Sequence, residues 1–235
     1  MNKRGARPRA DRAGALAGVL LAFFTQPARA QSADELLARL DRAAASFTGA
    51  KADIRRAIYT AAIRETDLES GAILVRRSSP GQVEFRIDIT GDNAYSLVVG
   101  AKQAEYYHPM INEVEVYDLR RYRDLAQTLM ALGFGMSGRD IQANYAISNV
   151  RRDTTSGQPA TAMDLAPKSQ ELVDRLHLQR VELWISDASL APAQEKVYFR
   201  DGDTWTINYS NVQMNIKIPA SALELPKNAR REKRN

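Results

Sequence analysis

The chain has 235 residues, of which 33 are Lys or Arg and 28 are Asp or Glu, and it contains no cysteine. The lack of cysteine excludes disulfide bonds, thiol catalysis and cysteine-bound metals, so packing must hold the fold together. The formal net charge of +5 arises at the two ends, because residues 31–226 carry 22 basic and 26 acidic side chains. A basic folded face of the kind that binds nucleic acid is therefore not expected.

The first thirty residues have the pattern of a secretory signal peptide. Five basic residues lie between positions 3 and 12, and an apolar stretch follows over residues 15–24. Pro27 then precedes the small-x-small sequence Ala28-Arg29-Ala30. This order predicts secretion with cleavage after Ala30. Gln31 would be the first mature residue, and since it is not a cysteine, we expect no lipid anchor.

An amphipathic helix is predicted directly after this segment. Ser32 and Glu35 have the spacing of a capping box, in which a hydroxyl and a carboxylate satisfy each other's backbone amides at a helix start. Apolar residues follow at helical spacing, and the helix is expected to end near Gly49. Those apolar residues are Leu36, Leu37, Leu40, Ala44 and Phe47.

The hydrophobic period then changes from helical to alternating, which predicts a first antiparallel meander with one apolar face. Val83, Phe85, Ile87 and Ile89 alternate with polar residues, and Gly, Pro, Asn and Asp separate the runs. The predicted strands cover approximately residues 53–64, 71–77, 82–89, 95–99, 104–108 and 113–117.

A helical insertion and a second meander are predicted next. One helix is expected over residues 124–132, and Ser137 with Asp140 is expected to cap another that reaches about Ala143. Strands follow at approximately residues 145–150, 160–166, 178–186, 194–199 and 204–213, with Asp201-Gly-Asp203 as a hairpin turn. About eleven strands with few helices predict an α+β fold built on a single curved sheet.

The sequence contains no convincing catalytic constellation, and we expect neither catalytic, cofactor-binding nor metal-binding residues. Residues 133–138 match the G-x-G-x-x-G string, but a predicted helix precedes them where a dinucleotide site needs a strand. His108 and His177 lie in different meanders without a ligand-spaced partner. The two carboxylates of Asp201-Gly-Asp203 are typical of a hairpin turn rather than of calcium binding. An enzyme is therefore not expected.

The helices instead carry a surplus of apolar side chains. Much of this surplus is expected to be ordinary core between the helices and the sheet. Met130, Phe134 and Met136, however, lie beside three glycines, and soft side chains on a movable cover are suited to apolar chains of variable shape.

At this point the sequence resembles the periplasmic carriers of outer-membrane lipoproteins of the LolA type, over nearly the whole chain after residue 30. The first half resembles the family's G-x-L-x-x-x-R-P, F-R/N-W, L-V-S-D-G-K-x-L-W-x-Y-x-P and V-x-V-Y-D motifs. The second half is similar to a branch of lipoprotein-sorting proteins. The matching stretches are residues 71–77, 85–86, 97–109, 114–118, 165–168, 181–185, 202–205 and 209–215.

Three departures from the family pattern are present, and the third bears on the latch residue. Gly100-Ala101 stands where the family has Asp-Gly, and Ala104-Glu105 where Leu-Trp is common. Two serines separate Arg77 from Pro80. In the family an arginine of this strand latches the helical lid to the sheet, so the resemblance assigns the latch to Arg77 or, one residue earlier, to Arg76. The alternative is two solvated arginines at a strand end.

The resemblance implies an unclosed antiparallel half-barrel covered by a helical lid around an apolar cavity. The domain would span residues 31–226, between the signal peptide of residues 1–30 and a disordered basic tail over residues 227–235. The residues that the resemblance and the apolar pattern place at the acyl-chain cavity and lid are Leu36, Leu40, Phe47, Leu125, Leu129, Met130, Leu132, Phe134 and Met136.

The implied function is that of a periplasmic chaperone that carries lipoproteins from the inner to the outer membrane. The implied partners are acylated lipoproteins, an inner-membrane ATP-driven release complex, and an acceptor that is either a protein or the outer membrane surface. A monomer without a cofactor is expected. The alternative is a lipid- or peptide-sensing regulatory protein on the same half-barrel, and a lipid hydrolase is disfavoured because a nucleophile and a base are not apparent.

Overall fold

A single twelve-stranded sheet dominates the computed structural model, which describes residues 33–79, 82–119 and 132–234. The expected signal peptide, Ser32 of the capping box and the helix expected over residues 124–132, apart from its last residue, lie outside these ranges. The helices are α1 (Ala33–Ser46), α2 (Gly138–Asn144) and α3 (Gln170–Arg175), with 3₁₀ turns at Pro109–Ile111 and Ala220–Leu223.

The strands form two meanders, one on each side of α2. The first contains β1 (Gly49–Thr60), β2 (Glu65–Ser79), β3 (Gln82–Thr90), β4 (Tyr95–Val99), β5 (Gln103–His108) and β6 (Glu113–Asp118). The second contains β7 (Tyr145–Thr155), β8 (Gln158–Pro167), β9 (Leu178–Ser186), β10 (Pro192–Phe199) and β11 (Thr204–Met214), and β12 (Arg230–Arg234) follows.

The sheet order is β12-β6-β5-β4-β3-β2-β1-β11-β10-β9-β8-β7. Antiparallel pairing of β1 with β11 joins the two meanders, and all other pairs are antiparallel except β12 with β6. Within the described residues, β12 and β7 are the two ends of this order, so the sheet is unclosed. The α+β class, the open half-barrel and its helical cover are therefore confirmed.

Local irregularities and one close approach shape the sheet. Register shifts between Lys51 and Asp53 in β1 and between Ser148 and Arg151 in β7 mark bulges, which bend a strand and increase its twist. At Gly71 in β2, an added Cβ would lie 1.9 Å from the carbonyl oxygen of Asp88. Only glycine therefore allows β2 and β3 to approach this closely.

The side chains on the concave face of the sheet form two apolar clusters under the helices. The first cluster joins α1 and α2 to strands β7 to β10 through residues such as Leu37, Ile141, Met163 and Val181. The second cluster covers β1 to β4 and includes Val75, Phe85 and Ile87. Helix α2 begins with the capping box that was predicted: the amide of Asp140 donates to Ser137 Oγ at 3.1 Å, and the amide of Ser137 donates to Asp140 Oδ2 at 3.2 Å.

Several element boundaries differ from the sequence-based prediction. Strand β2 begins at Glu65 rather than near residue 71, because residues 65–70 extend the hairpin with β1 and their exposed polar side chains carry little hydrophobic signal. The short helix α3 was not predicted. The expected number of strands was eleven, and the twelfth strand lies in the region that was expected to be disordered.

The disordered basic tail is corrected by the structure, because Arg230–Arg234 form β12 and pair in parallel with β6. Leu225 and Ala229 first pack against Val114 on the outer face of the sheet. The arginines of β12 then pair with carboxylates of the neighbouring strands: Arg230 with Glu113, Arg231 with Glu105 at 2.6 Å, and Arg234 with Glu115 at 2.8 Å. The basic composition of residues 227–235 predicted disorder, because composition alone does not show that acidic residues of β5 and β6 lie opposite these cations.

Deletion of residues 230–235 is expected to lower the free energy of unfolding, since several ion pairs are lost together and the buried Glu113 loses its partner Arg230. Urea unfolding at 50 mM and 500 mM salt would measure the effect. The full chain should lose stability as salt rises, and the deleted chain should lose less. Equal salt dependence in both chains would contradict the electrostatic account of β12.

Candidate functional site

The candidate site is the concave face of the half-barrel together with the segments that cover it. Residues alternate between the two faces of each strand, so Val75 of β2, Phe85 of β3 and Val99 of β4 share the concave face. Helix α1 and the turn of residues 132–137 lie over this face. The charged side chains between these positions, such as Arg76 and Glu84, lie on the outer face.

The structure brings together the described members of the predicted cavity and lid set. Leu36, Leu40 and Leu132 are buried in the cluster over β7 to β10, and Met136 packs against that cluster. Phe47 and Phe134 are buried in the cluster over β1 to β4. The remaining members, Leu125, Leu129 and Met130, fall outside the described residues.

The glycine-rich segment of residues 133–138 is a tight turn that leads into α2. Gly135 has φ +69°, and a Cβ there would lie 2.2 Å from the ring of Phe47. Glycine is therefore required both by the backbone conformation and by the contact with the residue that follows α1. The turn places Phe134 edge-on to the Tyr209 ring, with 5.2 Å between the ring centroids.

Arg77 joins the sheet to both parts of the cover. Its Nη2 donates to the carbonyl oxygen of Ala44 in α1 at 2.9 Å and to that of Gly135 at 3.4 Å. Its guanidinium also lies 5.7 Å from the centre of the Phe47 ring. The buried Nε has no hydrogen-bond partner among the described residues, so the guanidinium is held by carbonyl dipoles and an aromatic ring.

Arg76 has a different environment although it is adjacent in sequence. It points to the opposite face of β2, where its Nη1 donates to Glu84 Oε2 at 2.7 Å. Of the two candidate arginines, Arg77 is thus the one in contact with the cover, and Arg76 forms a half-exposed ion pair. The latch role itself remains a proposal.

A carboxyl group that the sequence reasoning did not single out lies beneath the cover. Glu195 of β10 is 5% exposed and is hydrogen-bonded to the hydroxyl of Tyr209 in β11. Burial raises the pKa of the Glu195 carboxyl to about 8 and the pKa of Tyr209 well above its usual value. The signal in the sequence was the spacing to Val197, two residues later, because both side chains must then lie on the same face.

A polar row continues across the concave face from β1 to β5. Arg56 of β1 pairs with Glu69 of β2 and donates to the Tyr95 hydroxyl of β4. The rings of Tyr95 and Tyr106 stack with their centroids 4.7 Å apart, and His108 follows at 4.6 Å from Tyr106. Burial raises the pKa of Tyr106 to about 12, so this row presents neutral hydroxyls at physiological pH.

Asp203 and His177, which the sequence offers as metal ligands, instead take part in contacts that hold turns in place. Asp203 accepts a hydrogen bond from the amide of Ala61 at 2.8 Å and so ties two neighbouring hairpins together. His177 lies in a turn with φ +51°, and its carbonyl accepts from the amide of Arg200. In the described ranges no three metal-ligating side chains gather at one point, and no helix there has the length and apolarity to span a membrane.

No protein-family model and no curated protein matches the sequence. Solved structures do match it, among them an uncharacterized conserved protein from Thermus thermophilus, with a TM-score of 0.54 and 14% identity over 87% of this chain and all of that chain. MucB matches with a TM-score of 0.50 and 15% identity over 84% of this chain, which spans 64% of MucB. A LolA superfamily protein from Nitrosomonas europaea matches with a TM-score of 0.40 and 11% identity over 83% of this chain and 98% of that chain. The likeness to the first two shows a shared fold.

Proposed function

We propose that this chain, whose fold is a LolA-like half-barrel, is a periplasmic chaperone that binds the acyl chains of lipoproteins. The observation that supports this proposal most directly is the cover over the concave face. Apolar side chains of the cover and of the sheet pack against each other. This packing and a few polar contacts from one arginine, Arg77, hold the cover closed.

The energetics of a lipid carrier require such a cover. Burying acyl methylenes is worth about 0.8 kcal/mol each, so a chain of about sixteen carbons gains roughly 12 kcal/mol in a membrane. A carrier must offer comparable apolar surface in water and must later give the cargo up. A lid whose own side chains occupy the concave face when it is closed meets both needs, because cargo and lid compete for the same surface.

In this proposal Leu36, Leu40, Phe47, Phe134 and Met136 cover the concave face in the free protein. Cargo enters when α1 and the turn of residues 132–137 move, and the acyl chains then replace these side chains. The lid returns when the cargo leaves, so its packing drives release. Leu125, Leu129 and Met130 remain proposed members of the same lid.

We further propose that residues 1–30 direct export to the periplasm and that the residues after them, with β12 included, form the carrier domain. Loading would be driven by an inner-membrane complex that hydrolyses ATP, since lifting a multiply acylated protein from a bilayer is costly. Delivery would be to an acceptor at the outer membrane, either a protein or the membrane surface.

Native mass spectrometry of the protein purified from the periplasm tests this function. We expect one-to-one complexes with acylated protein, and in vitro we expect the chain to remove a diacylated lipopeptide, but not the same peptide without acyl chains, from donor vesicles. Co-purification with free lipid or with a membrane-protein partner, and no uptake of lipopeptide, would instead support the sensing protein on the same fold. Hydrolysis of the acyl esters would overturn both.

A further inference from the structure

Glu195 differs from the other buried polar side chains of the described residues in how it is satisfied. The other four are Ser96, Glu113, Thr155 and Thr161. Glu113 pairs with Arg230, and the hydroxyls of Ser96, Thr155 and Thr161 donate to acceptors on neighbouring side chains. Glu195 has the Tyr209 hydroxyl as its partner, and within the described part of the chain no cationic side chain stabilises its charge.

Tyr209 and Tyr145 face Glu195, and its neighbours in register and along its own strand on this face of the sheet are apolar. In register it lies between Leu183 of β9 and Ile207 of β11. On its own strand the next residue on the same face is Val197. It therefore occupies the border between the two apolar clusters of the concave face. A carboxyl at such a position lowers the stability of the fold, because burying a polar group without full hydrogen bonding is costly. Its presence there therefore points to a function.

The protonation state determines what this group offers a ligand. With its pKa raised to about 8 by burial, the Glu195 carboxyl is mainly neutral at pH 7. The Tyr209 hydroxyl is hydrogen-bonded to the carboxyl, and a protonated carboxyl carries one O–H group that can donate to a ligand. A donor without a negative charge suits a neutral acceptor such as a carbonyl oxygen, and it offers no compensation for a carboxylate.

The lid controls access to this donor. Phe134 lies edge-on to the Tyr209 ring, so the turn of residues 132–137 directly covers the partner of Glu195. Movement of this turn, which the proposed function requires, would uncover the Glu195–Tyr209 pair together with the apolar surface on both sides of it.

We propose that Glu195 is the polar anchor of the acyl-chain site, and that it donates a hydrogen bond to the ester carbonyl oxygen of an acylated glyceryl group whose chains lie along the two apolar clusters. This inference rests on the proposed function, and it adds the part of the cargo that is recognised. The site selects esters over ethers of the same chain length, and neutral esters over free fatty acid anions.

Paired ligands that differ at the carbonyl test the anchor. The probes are a diacylglyceryl lipopeptide and a diacyl phospholipid, each compared with its dialkyl ether counterpart, with equilibrium dissociation constants measured at pH 6.5. For wild-type protein the ester of the recognised pair should bind about fivefold to tenfold more tightly than the ether, as expected for one hydrogen bond to a buried group. Preference within the lipopeptide pair identifies lipoprotein cargo, and preference only within the phospholipid pair identifies membrane lipid.

Variants of the chain separate the anchor from general packing. Glu195→Leu should still bind both ligands, but with equal affinity for the ester and the ether. Glu195→Gln should keep part of the preference for the ester, because its amide can donate a hydrogen bond. Lys196→Leu is the matched control, because the neighbouring side chain lies on the outer face beside Tyr198. An ester-to-ether ratio that is the same in wild type and Glu195→Leu would overturn the anchor alone. Failure of wild-type protein to bind any of the four compounds would overturn the proposed function as well.

Discussion

Replacement of Arg77 by leucine is expected to raise the affinity for acylated cargo roughly tenfold and to slow its release. The guanidinium donates to carbonyl oxygens of α1 and of the turn before α2, at 2.9 and 3.4 Å. A hydrogen bond from a charged donor contributes about 1.5 to 3 kcal/mol, and relief of the desolvation of the guanidinium offsets part of the loss, so the substitution should favour the open lid by about 1.4 kcal/mol. A free-energy difference of about 1.4 kcal/mol raises the fraction of open protein tenfold, and the apparent affinity rises in proportion to that fraction.

Arg76→Leu is the matched control for this substitution. It removes the same charge and the same side-chain length from the adjacent position, but its ion pair with Glu84 lies on the outer face. Titration of a fluorescent diacylated lipopeptide measures affinity, and hydrogen exchange at the amide of Phe47, which donates to the carbonyl oxygen of Ala44 in α1, reports opening of the lid. Equal affinities for wild type, Arg77→Leu and Arg76→Leu would remove the latch from the mechanism.

The Arg77→Leu substitution should not unfold the protein. The Arg77 guanidinium lies beside the Phe47 ring and, among the described residues, its buried Nε is unpaired. Removal of an incompletely satisfied buried cation offsets part of the lost hydrogen bonding, since its desolvation is also relieved. A change in cargo affinity without a large fall in the melting temperature is therefore the result that identifies a latch rather than a structural arginine.

The sequence predicted the sheet well where local chemistry determines the structure. Alternation in residues 82–89 and turn residues around Gly91 and Asp201 located β3 and two hairpins, and the bounds of β4 and β9 were predicted without error. Long-range pairing has no comparable local signal. The contact of β1 with β11, which unites the two meanders, joins residues more than 140 positions apart and depends on the packing of both halves.

Charged residues account for most differences between prediction and structure, because polarity in a sequence predicts exposure. The basic composition of β12 predicts a disordered end, although Glu105, Glu113 and Glu115 on β5 and β6 provide its counter-charges. Glu195 lies between Gln194 and Lys196, and this polar run conceals that its side chain alternates with those two toward the concave face. In both places the partner lies on another strand, where a single stretch of sequence gives no information.

The pH dependence of stability should be dominated by Glu195 between about pH 5 and pH 8. Its pKa is about 8 in the folded protein, against an ordinary value of 4.5, so across this range the folded state holds a proton that the unfolded state has released. Unfolding then releases protons, and the free energy of unfolding must fall as pH rises. The expected loss is on the order of 3 kcal/mol between pH 5 and pH 8, at 1.36 kcal/mol per unit of pKa difference.

The difference between wild type and Glu195→Gln isolates this contribution from the other titrating groups. The groups that face Glu195 are Tyr209 of β11 and Tyr145 of β7, and the pKa of each is raised, so both stay neutral up to pH 8. Urea unfolding at pH 5, 6, 7 and 8 should therefore show a falling curve for wild type and a flatter one for the variant. Glu65→Gln removes a carboxylate from the exposed β1–β2 hairpin and should leave the wild-type slope in place. Parallel curves for wild type and Glu195→Gln would mean that the carboxyl is ionised in the folded protein, and a carboxylate beneath the lid could not donate to an ester carbonyl.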